Sequence, residues 1–421
     1  MPTMTKLKLL NSNIIKLLSS KSIQAGLFLV VITSVGSYLI LSSHASTPYA
    51  SVNADSGTIT NGAEKVVNAS ASDGYGVMFG STSTSPSSDY TVSGSKIYNS
   101  AGQPVMIQGV DRDSTEWGCG EAVGDSGDSV PASDFTIMHN DWNANAVRIA
   151  MSQDIWLWGI GGCSSSQYQA NIAAEVKAAQ AAGMVAILDL HWSDADHADP
   201  GNAGAQQCMA DPNSNTFWQQ VAGVYKANPG VWFELYNEPR LSNWSAWEYG
   251  DSTTATCGFP IVGMQTLYNT VRATGANNVV VAGGIDSASH LDGVPLLSGK
   301  NIVYAIHPYS SAINGGNASS WSNNDWTNRF GYLVQENEAP VIATEFGDTT
   351  VDSDGTCGGT TYMQGILNYF YYYKIGFTAW AWYEDGCSYP SIISNAQGAC
   401  LEDAGCVLQK NMLDPPSPSS P

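Results

Sequence analysis

Basic residues are scarce in this chain of 421 residues: 16 Lys and Arg stand against 37 Asp and Glu, a formal net charge of −21 at pH 7. So acidic a protein repels phosphate backbones and anionic lipid, which argues against nucleic acid as a partner. Charge of either sign is thin, at 13% of residues, while Trp, Tyr, Gly, Ser and Asn are abundant. Such a composition suits an exported protein that stacks aromatic rings on neutral, hydroxyl-rich ligands, although the same rings also fill cores.

Metal-ligand spacing is missing as well. The eight cysteines, Cys119, Cys163, Cys208, Cys257, Cys357, Cys387, Cys400 and Cys406, form no close pair of the kind that holds zinc. Disulfides across surface loops are the expectation, with Cys400–Cys406 as a local loop and Cys357–Cys387 as a brace late in the chain. Asp154 and the stretch SDADHAD (193–199) could contact hydroxyls or a cation, but they show no recognisable ligand spacing. No metal and no cofactor is expected.

Long apolar runs are confined to one place. Lys6, Lys8, Lys16 and Lys21 precede an uncharged run from Ala25 to Leu41, followed by Ser43-His44-Ala45. Basic, then apolar, then small is the layout of an export signal, and the run is also near the lower limit for spanning a bilayer. Residues 1–45 are therefore read as a signal peptide or an N-terminal membrane anchor, with residues 25–41 as the possible anchorage. Either reading places the rest of the chain outside the cytoplasm. Residues 46–89 form a Ser/Thr/Gly-rich leader whose segment 54–80 resembles the opening strands of a carbohydrate-binding β-sandwich, though it is too short for a whole one. A Pro/Ser tail occupies 413–421.

Between these ends, apolar strand-like runs alternate with helix-like segments. Eight runs are found: 105–111, 146–150, 185–191, 231–237, 279–284, 302–309, 340–346 and 377–382. The segments 166–183 and 361–374 carry helical periodicity, and Gly183 is placed to end the first. Eight parallel strands joined by helices predict an α/β fold closed as a (β/α)₈ TIM barrel over residues 90–412.

Two of the runs end in glutamate, Glu238 in VWFELYNEP (231–239) and Glu345 in PVIATEFGD (340–348). The C-terminal ends of barrel strands are where this fold keeps its chemistry. A pair of carboxylates on different strands is the equipment of a retaining glycosidase, in which one is acid/base and the other nucleophile. Each glutamate alone could equally pair with a basic side chain at the rim. The other strand ends add Arg148 on the second, His191 on the third, Asn237 beside Glu238 on the fourth, His307 and Tyr309 on the sixth and Trp380 on the eighth.

In that order these residues resemble glycoside hydrolase family 5, the cellulase and mannanase family of the retaining (β/α)₈ clan. The resemblance covers roughly residues 95–410. The opening GVDRDSTEWGC (109–119) is similar to a subgroup of secreted cellulases, except that Asn is expected where this chain has Asp111. The resemblance implies Glu345 as nucleophile, held charged by donors from Arg148 and Tyr309, and Glu238 as acid/base with His307 orienting it or sharing its proton. Asn237 would donate to a sugar 2-hydroxyl, His191 would face the sugar at the scission point, and Trp380 would form a platform for a pyranose ring. Arg148 as a rim ion-pair partner and His191 as a satisfied core histidine are the plain alternatives. Trp192 and Trp382 are further substrate candidates, with Trp156, Trp158, Trp244 and Trp247 behind them, and ordinary packing is an equal reading for each.

The expected partner is a polysaccharide, β-1,4-glucan first and mannan second, cleaved internally by an exported monomer. A catalytically silent glycan-binding barrel is the alternative from another class, and two intact glutamates weigh against it.

Overall fold

The computed structural model describes residues 64–67, 75–78, 90–119, 132–193, 206–310, 323–348, 360–384 and 390–417. Backbone contacts divide the chain into Met1–Thr82 and Ser83–Pro421. In the first unit, strands Glu64–Val67 and Tyr75–Met78 pair antiparallel, with Glu64 opposite Met78. The run 25–41 lies outside the described residues, and no helix among those described is long and apolar enough to cross a membrane.

The second unit is a closed barrel of eight parallel strands: β1 Gln108–Arg112, β2 Ala146–Ser152, β3 Val185–Trp192, β4 Val231–Glu234, β5 Val280–Gly283, β6 Ile302–Ile306, β7 Val341–Ala343 and β8 Gly376–Ala379. Closure is made by β8 on β1, where Phe377 faces Gln108 and Ala379 faces Val110. Every strand is buried along all or nearly all of its length, as a sheet covered on both faces must be. Gly109 is required where β1 runs close to β2, since a Cβ there would strike the Ala146 carbonyl.

The strands are shorter than the apolar runs in several places. The run 105–111 is divided, Pro104–Val105 belonging to a separate small sheet and the barrel strand starting at Gln108. Ladder pairing in β4, β7 and β8 stops at Glu234, Ala343 and Ala379, so the residues beyond are free to turn across the barrel mouth. Helices Ala132–Trp142, Ser165–Ala181, Asn213–Tyr225, Met264–Ala273 and Thr360–Tyr373 follow β1, β2, β3, β4 and β7. The Ser165–Ala181 helix is started by the Ser164 side chain, which accepts from the Gln167 amide, and is left through Gly183 at φ 90°. Between β5 and β6 there is only the short kinked turn Ile285–Ala288.

Alternation along each strand sorts the barrel interior into layers. The lower layer is apolar, built from Ile107, Ala146, Ile187, Trp232, Val281, Ala305 and Ile342 among others. One step of two residues higher, on the same strands or immediately past their ends, come Arg148, Asp189, Glu234, His307 and Thr344. The floor is closed by an antiparallel sheet of Thr91–Ser93, Lys96–Tyr98 and Pro104–Val105, whose Ile97 joins the lower layer. The Tyr90 ring meets Trp232 edge-on at 5.3 Å.

Disulfides brace the opposite end. Cys119–Cys163 ties the segment after β1 to the one after β2, and Cys208–Cys257 does the same for β3 and β4. The expected Cys400–Cys406 bridge is present, linking the segment ahead of helix Ala404–Leu413 to its first turn. Cys357 and Cys387 lie outside the described residues.

Candidate active site

The polar layer of the barrel is organised around Arg148. Its Nε donates to Glu234 Oε2 at 2.6 Å, Nη1 to Glu345 Oε1 at 2.8 Å, and Nη2 to Asn237 Oδ1 at 2.7 Å. Nη2 also lies 2.9 Å from Asp189 Oδ2, and Nη1 is 3.8 Å from Asp111. Arg148 and these four carboxylates are all buried. A planar fork with five donors can hold several acceptors in fixed directions, which an ammonium cannot.

Glu345 receives a second donor, the Tyr309 hydroxyl on Oε2 at 2.8 Å. Glu238 sits across the mouth with its side chain 21% exposed, hydrogen-bonded by His307 Nδ1 at 3.1 Å and by Gln206 Nε2 at 3.1 Å. One oxygen of Glu238, one of Glu345 and a ring nitrogen of His307 all lie within 4.8 Å of one another. Glu238 has φ 48°, a left-handed conformation that a non-glycine residue adopts only where its surroundings hold it. Beneath, His307 Nε2 meets Thr344 Oγ1 at 3.0 Å, and the Thr344 hydroxyl donates to Glu234 Oε1 at 2.7 Å.

Proton affinities follow from burial and this wiring. Burial pushes the Glu238 carboxyl up, but the hydrogen bond and charge of His307 outweigh it and the net direction is down. Burial likewise pushes His307 down, and Glu345 and Glu238 reverse it to a net rise. The opposite shifts of the two groups are those of a coupled acid–imidazole pair. Burial lowers His191 to about 4, so its ring is neutral at neutral pH. Burial raises Asp189 to about 7 against the pull of Arg148. Asp111 is pushed well above the usual carboxylate range, chiefly by burial and against Arg148.

The structure brings Arg148, His191, Asn237, Glu238, His307, Tyr309 and Glu345 into one connected site. Because Asn237 Oδ1 accepts from Arg148, its amide is oriented with Nδ2 left to donate, and that nitrogen lies 3.4 Å from His191 Nε2. His191 Nδ1 is bonded to Asp189 at 2.7 Å, and the Trp380 ring stacks on its imidazole at 5.3 Å with 14° between planes. The Trp380–Ala381 peptide is cis. Trp192 is half-buried beside Trp117, the ring centroids 6.1 Å apart.

Trp382 is a correction: only 1% exposed, it packs edge-on against Trp142 at 5.3 Å, because the residue two beyond Trp380 turns into the shell between barrel and helices. Trp156 and Trp247 are core residues too, the latter donating to the Gly283 carbonyl at 2.7 Å. Trp244 is half-buried and donates to the Asp292 carbonyl, whereas Trp158 is 43% exposed. Asp154 is buried, and residues 194–199 lie outside the described set.

Four further residues complete the site beyond the strand-end set: Asp189, Glu234, Thr344 and Gln206. For the first two a signal existed, a carboxylate inside an otherwise apolar strand, in VAILDLH (185–191) and VWFELYN (231–237). Thr344 and Gln206 carry no comparable mark.

A model of the cellulase family, glycosyl hydrolase family 5, matches residues 98–386. Among curated relatives, cellulase CelDZ1 of Thermoanaerobacterium sp. is 23% identical over 265 residues, 60% of this chain and 60% of the relative. Endoglucanase N of Pectobacterium atrosepticum is 24% identical over 243 residues, 56% of this chain and 47% of the relative. The chain thus spans less than two thirds of the length of these relatives. Among solved structures, the β-glucanase SdGluc5_26A of Saccharophagus degradans, in complex with cellotetraose, superposes with a TM-score of 0.59 at 20% identity, covering 78% of this chain and 95% of that one. A hyperthermophilic endocellulase of Pyrococcus horikoshii gives a TM-score of 0.59 at 17% identity, covering 77% and 98%. At these identities the likeness is one of fold.

Proposed function

The chain belongs to glycosyl hydrolase family 5, and from that premise we propose that it is an exported endo-β-1,4-glucanase acting with retention of configuration. The observation that carries the proposal is the approach of the Glu238 and Glu345 carboxylates to within 4.8 Å, oxygen to oxygen. Retaining enzymes keep the two carboxyl groups about 5–5.5 Å apart, whereas inverting ones hold them about 6.5–9.5 Å apart to admit a water.

In this reading Glu345, steered by Arg148 and Tyr309, attacks the anomeric carbon. The bond to the leaving oxygen breaks as Glu238 delivers to it the proton shared with His307. Glu238, now ionised, takes a proton from water, whose oxygen displaces Glu345 and regenerates the nucleophile. Asn237 Nδ2 is placed to donate to the 2-hydroxyl of the sugar at the reacting centre. The neutral His191 ring and Trp380 line the same end of the barrel.

The substrate class is supported by charge. A protein at −21 suits a neutral polymer better than a uronate, whose carboxylates need basic partners. Relatives named cellulase and endoglucanase favour glucan over mannan. The basic-then-apolar N-terminus favours export or anchorage on the outer face of the membrane. The test is hydrolysis of carboxymethylcellulose: viscosity is expected to fall far faster than reducing ends accumulate, and proton NMR of early products should show the β-anomer first. Initial release of the α-anomer would refute retention, and much higher activity on galactomannan than on any glucan would move the substrate to mannan.

A further inference from the structure

Glu234 and Thr344 lie beneath the catalytic pair and take no part in the displacement described above. We propose that they are positioning residues that fix the tautomer of His307 and so keep the acid/base proton on the line between His307 and Glu238. The inference rests on the acid/base role proposed for Glu238.

The chain of hydrogen bonds begins at the floor of the polar layer. Burial raises the proton affinity of Glu234, and the Arg148 guanidinium, holding Oε2 at 2.6 Å in a charge-assisted contact, opposes that rise and favours the ionised carboxylate. An ionised carboxylate only accepts, so the 2.7 Å contact to Oε1 uses the Thr344 hydroxyl proton. With its single proton committed, Thr344 Oγ1 can only accept in its 3.0 Å contact with His307, and Nε2 must carry hydrogen. A neutral His307 then has its lone pair on Nδ1, which faces Glu238 Oε1 at 3.1 Å and Glu345 Oε2 at 3.5 Å.

Only two arrangements satisfy that geometry: a cationic imidazole donating to a Glu238 carboxylate, or a neutral imidazole accepting from a Glu238 acid. Both hold one proton between the two groups, and moving it about the length of a hydrogen bond arms the acid. The other neutral tautomer, with hydrogen on Nδ1 and none on Nε2, would bring a hydrogen to Glu238 while leaving the acid without its proton. Thr344 and Glu234 exclude it. The charged and titratable groups facing His307 are Glu238 and Glu345 directly, with Arg148, Glu234, Asp189 and His191 acting at longer range. The rise in proton affinity of His307 and the fall in that of Glu238 agree with a shared proton.

The test reads the tautomer directly. In the full-length protein labelled with ¹⁵N-histidine, with His307 assigned by its loss in a His307→Gln variant, long-range proton–nitrogen correlation should show a protonated Nε2 from about pH 5 to about pH 8. Thr344→Val removes the acceptor and should release the ring to the Nδ1 tautomer, and Thr344→Ser should restore the wild-type pattern. On a series of aryl β-cellobiosides, the loss of kcat/KM in Thr344→Val should grow as the leaving group becomes poorer, reaching on the order of 10-fold or more, because only poor leaving groups need the acid.

A bare Nε2 in the wild type overturns the inference, since a Glu234 that kept its own proton would reverse the chain. So does a uniform loss across the series, which a merely structural role would give. The tautomer is read without substrate, so it decides the inference even for a wild type that cleaves no glucan, and that outcome would count against the glucanase reading alone. Should Thr344→Val not fold, the tautomers of the wild type and of Thr344→Ser still decide between a protonated and a bare Nε2.

Discussion

Glu238 and Glu345 are the same residue type in one cavity, and their neighbours separate them. Glu345 meets donors on both oxygens, from Arg148 and Tyr309, while Glu238 faces the His307 ring at 3.1 Å. Removing each should therefore fail differently. Glu238→Ala should lose about 10²–10⁴-fold on unactivated glucans, keep its first step on dinitrophenyl β-cellobioside, and be rescued by azide as the β-glycosyl azide. Glu345→Ala should turn over neither substrate, and azide should give at most the α-glycosyl azide. The opposite pattern of azide products would exchange the two roles. Of these residues, the glutamates, Arg148, His307 and Tyr309 could be named from their positions at the ends of apolar runs. Thr344 could not, because a threonine in a strand is ordinary and only its 2.7 Å bond to Glu234 distinguishes it.

At the scale of elements, the barrel strands hold the site from below and two disulfides hold the loops from above. Cys119–Cys163 closes a span of 44 residues and Cys208–Cys257 one of 49, each linking the segments that follow neighbouring strands. In the chain-entropy account, bridges of this span stabilise by about 4 kcal/mol, while the Cys400–Cys406 loop is worth about 2 kcal/mol. Replacing both cysteines of either long bridge with serine should lower stability by a few kcal/mol in denaturant titrations. Cys400→Ser with Cys406→Ser should cost about half as much. Equal losses for long and short bridges would mean that native-state contacts, not loop closure, set the effect. Strand positions along the chain were legible as apolar runs. Their ends were not, because a run continues wherever side chains are buried, whereas a strand stops where its neighbour's backbone no longer pairs.

For the whole molecule, the distinctive property is how many carboxyl groups the interior contains. Burial raises Asp189 and Glu175 to about 7 and Asp211 to about 6. Their folded values lie above the unfolded one, so the stability they contribute is fully present below about pH 4 and is lost as pH rises through about 7. His191 acts in the other sense: depressed to about 4, it contributes stability present above about 6.5 and lost as pH falls. Three acids against one imidazole leave the native state holding more protons than the unfolded chain between about pH 5 and about pH 7, and each net proton tilts stability by about 1.4 kcal/mol per pH unit. Repulsion within a protein at −21 works in the same direction. The melting temperature should therefore be higher at pH 5 than at pH 8 by calorimetry, and a Tm that climbs across this range would show that the buried acids are ionised in the fold.

Fold class, the order of the strands and the identity of the residues at their upper ends were all legible in the chain before any contact was known. Those features are local, since apolar periodicity and the polar residue that interrupts it can be read within one segment. Closure of the barrel decided the rest. It set Asp189 opposite Glu234 in the register of β3 and β4, placed both against Arg148 from β2, and so made two carboxylates buried in apolar strands the support of the site. It also separated the tryptophans, stacking Trp380 on His191 and turning Trp382 into the core, although the two stand only two positions apart. A side chain's neighbours across a closed sheet depend on register and on which face it occupies, and neither exists until the eight strands have met.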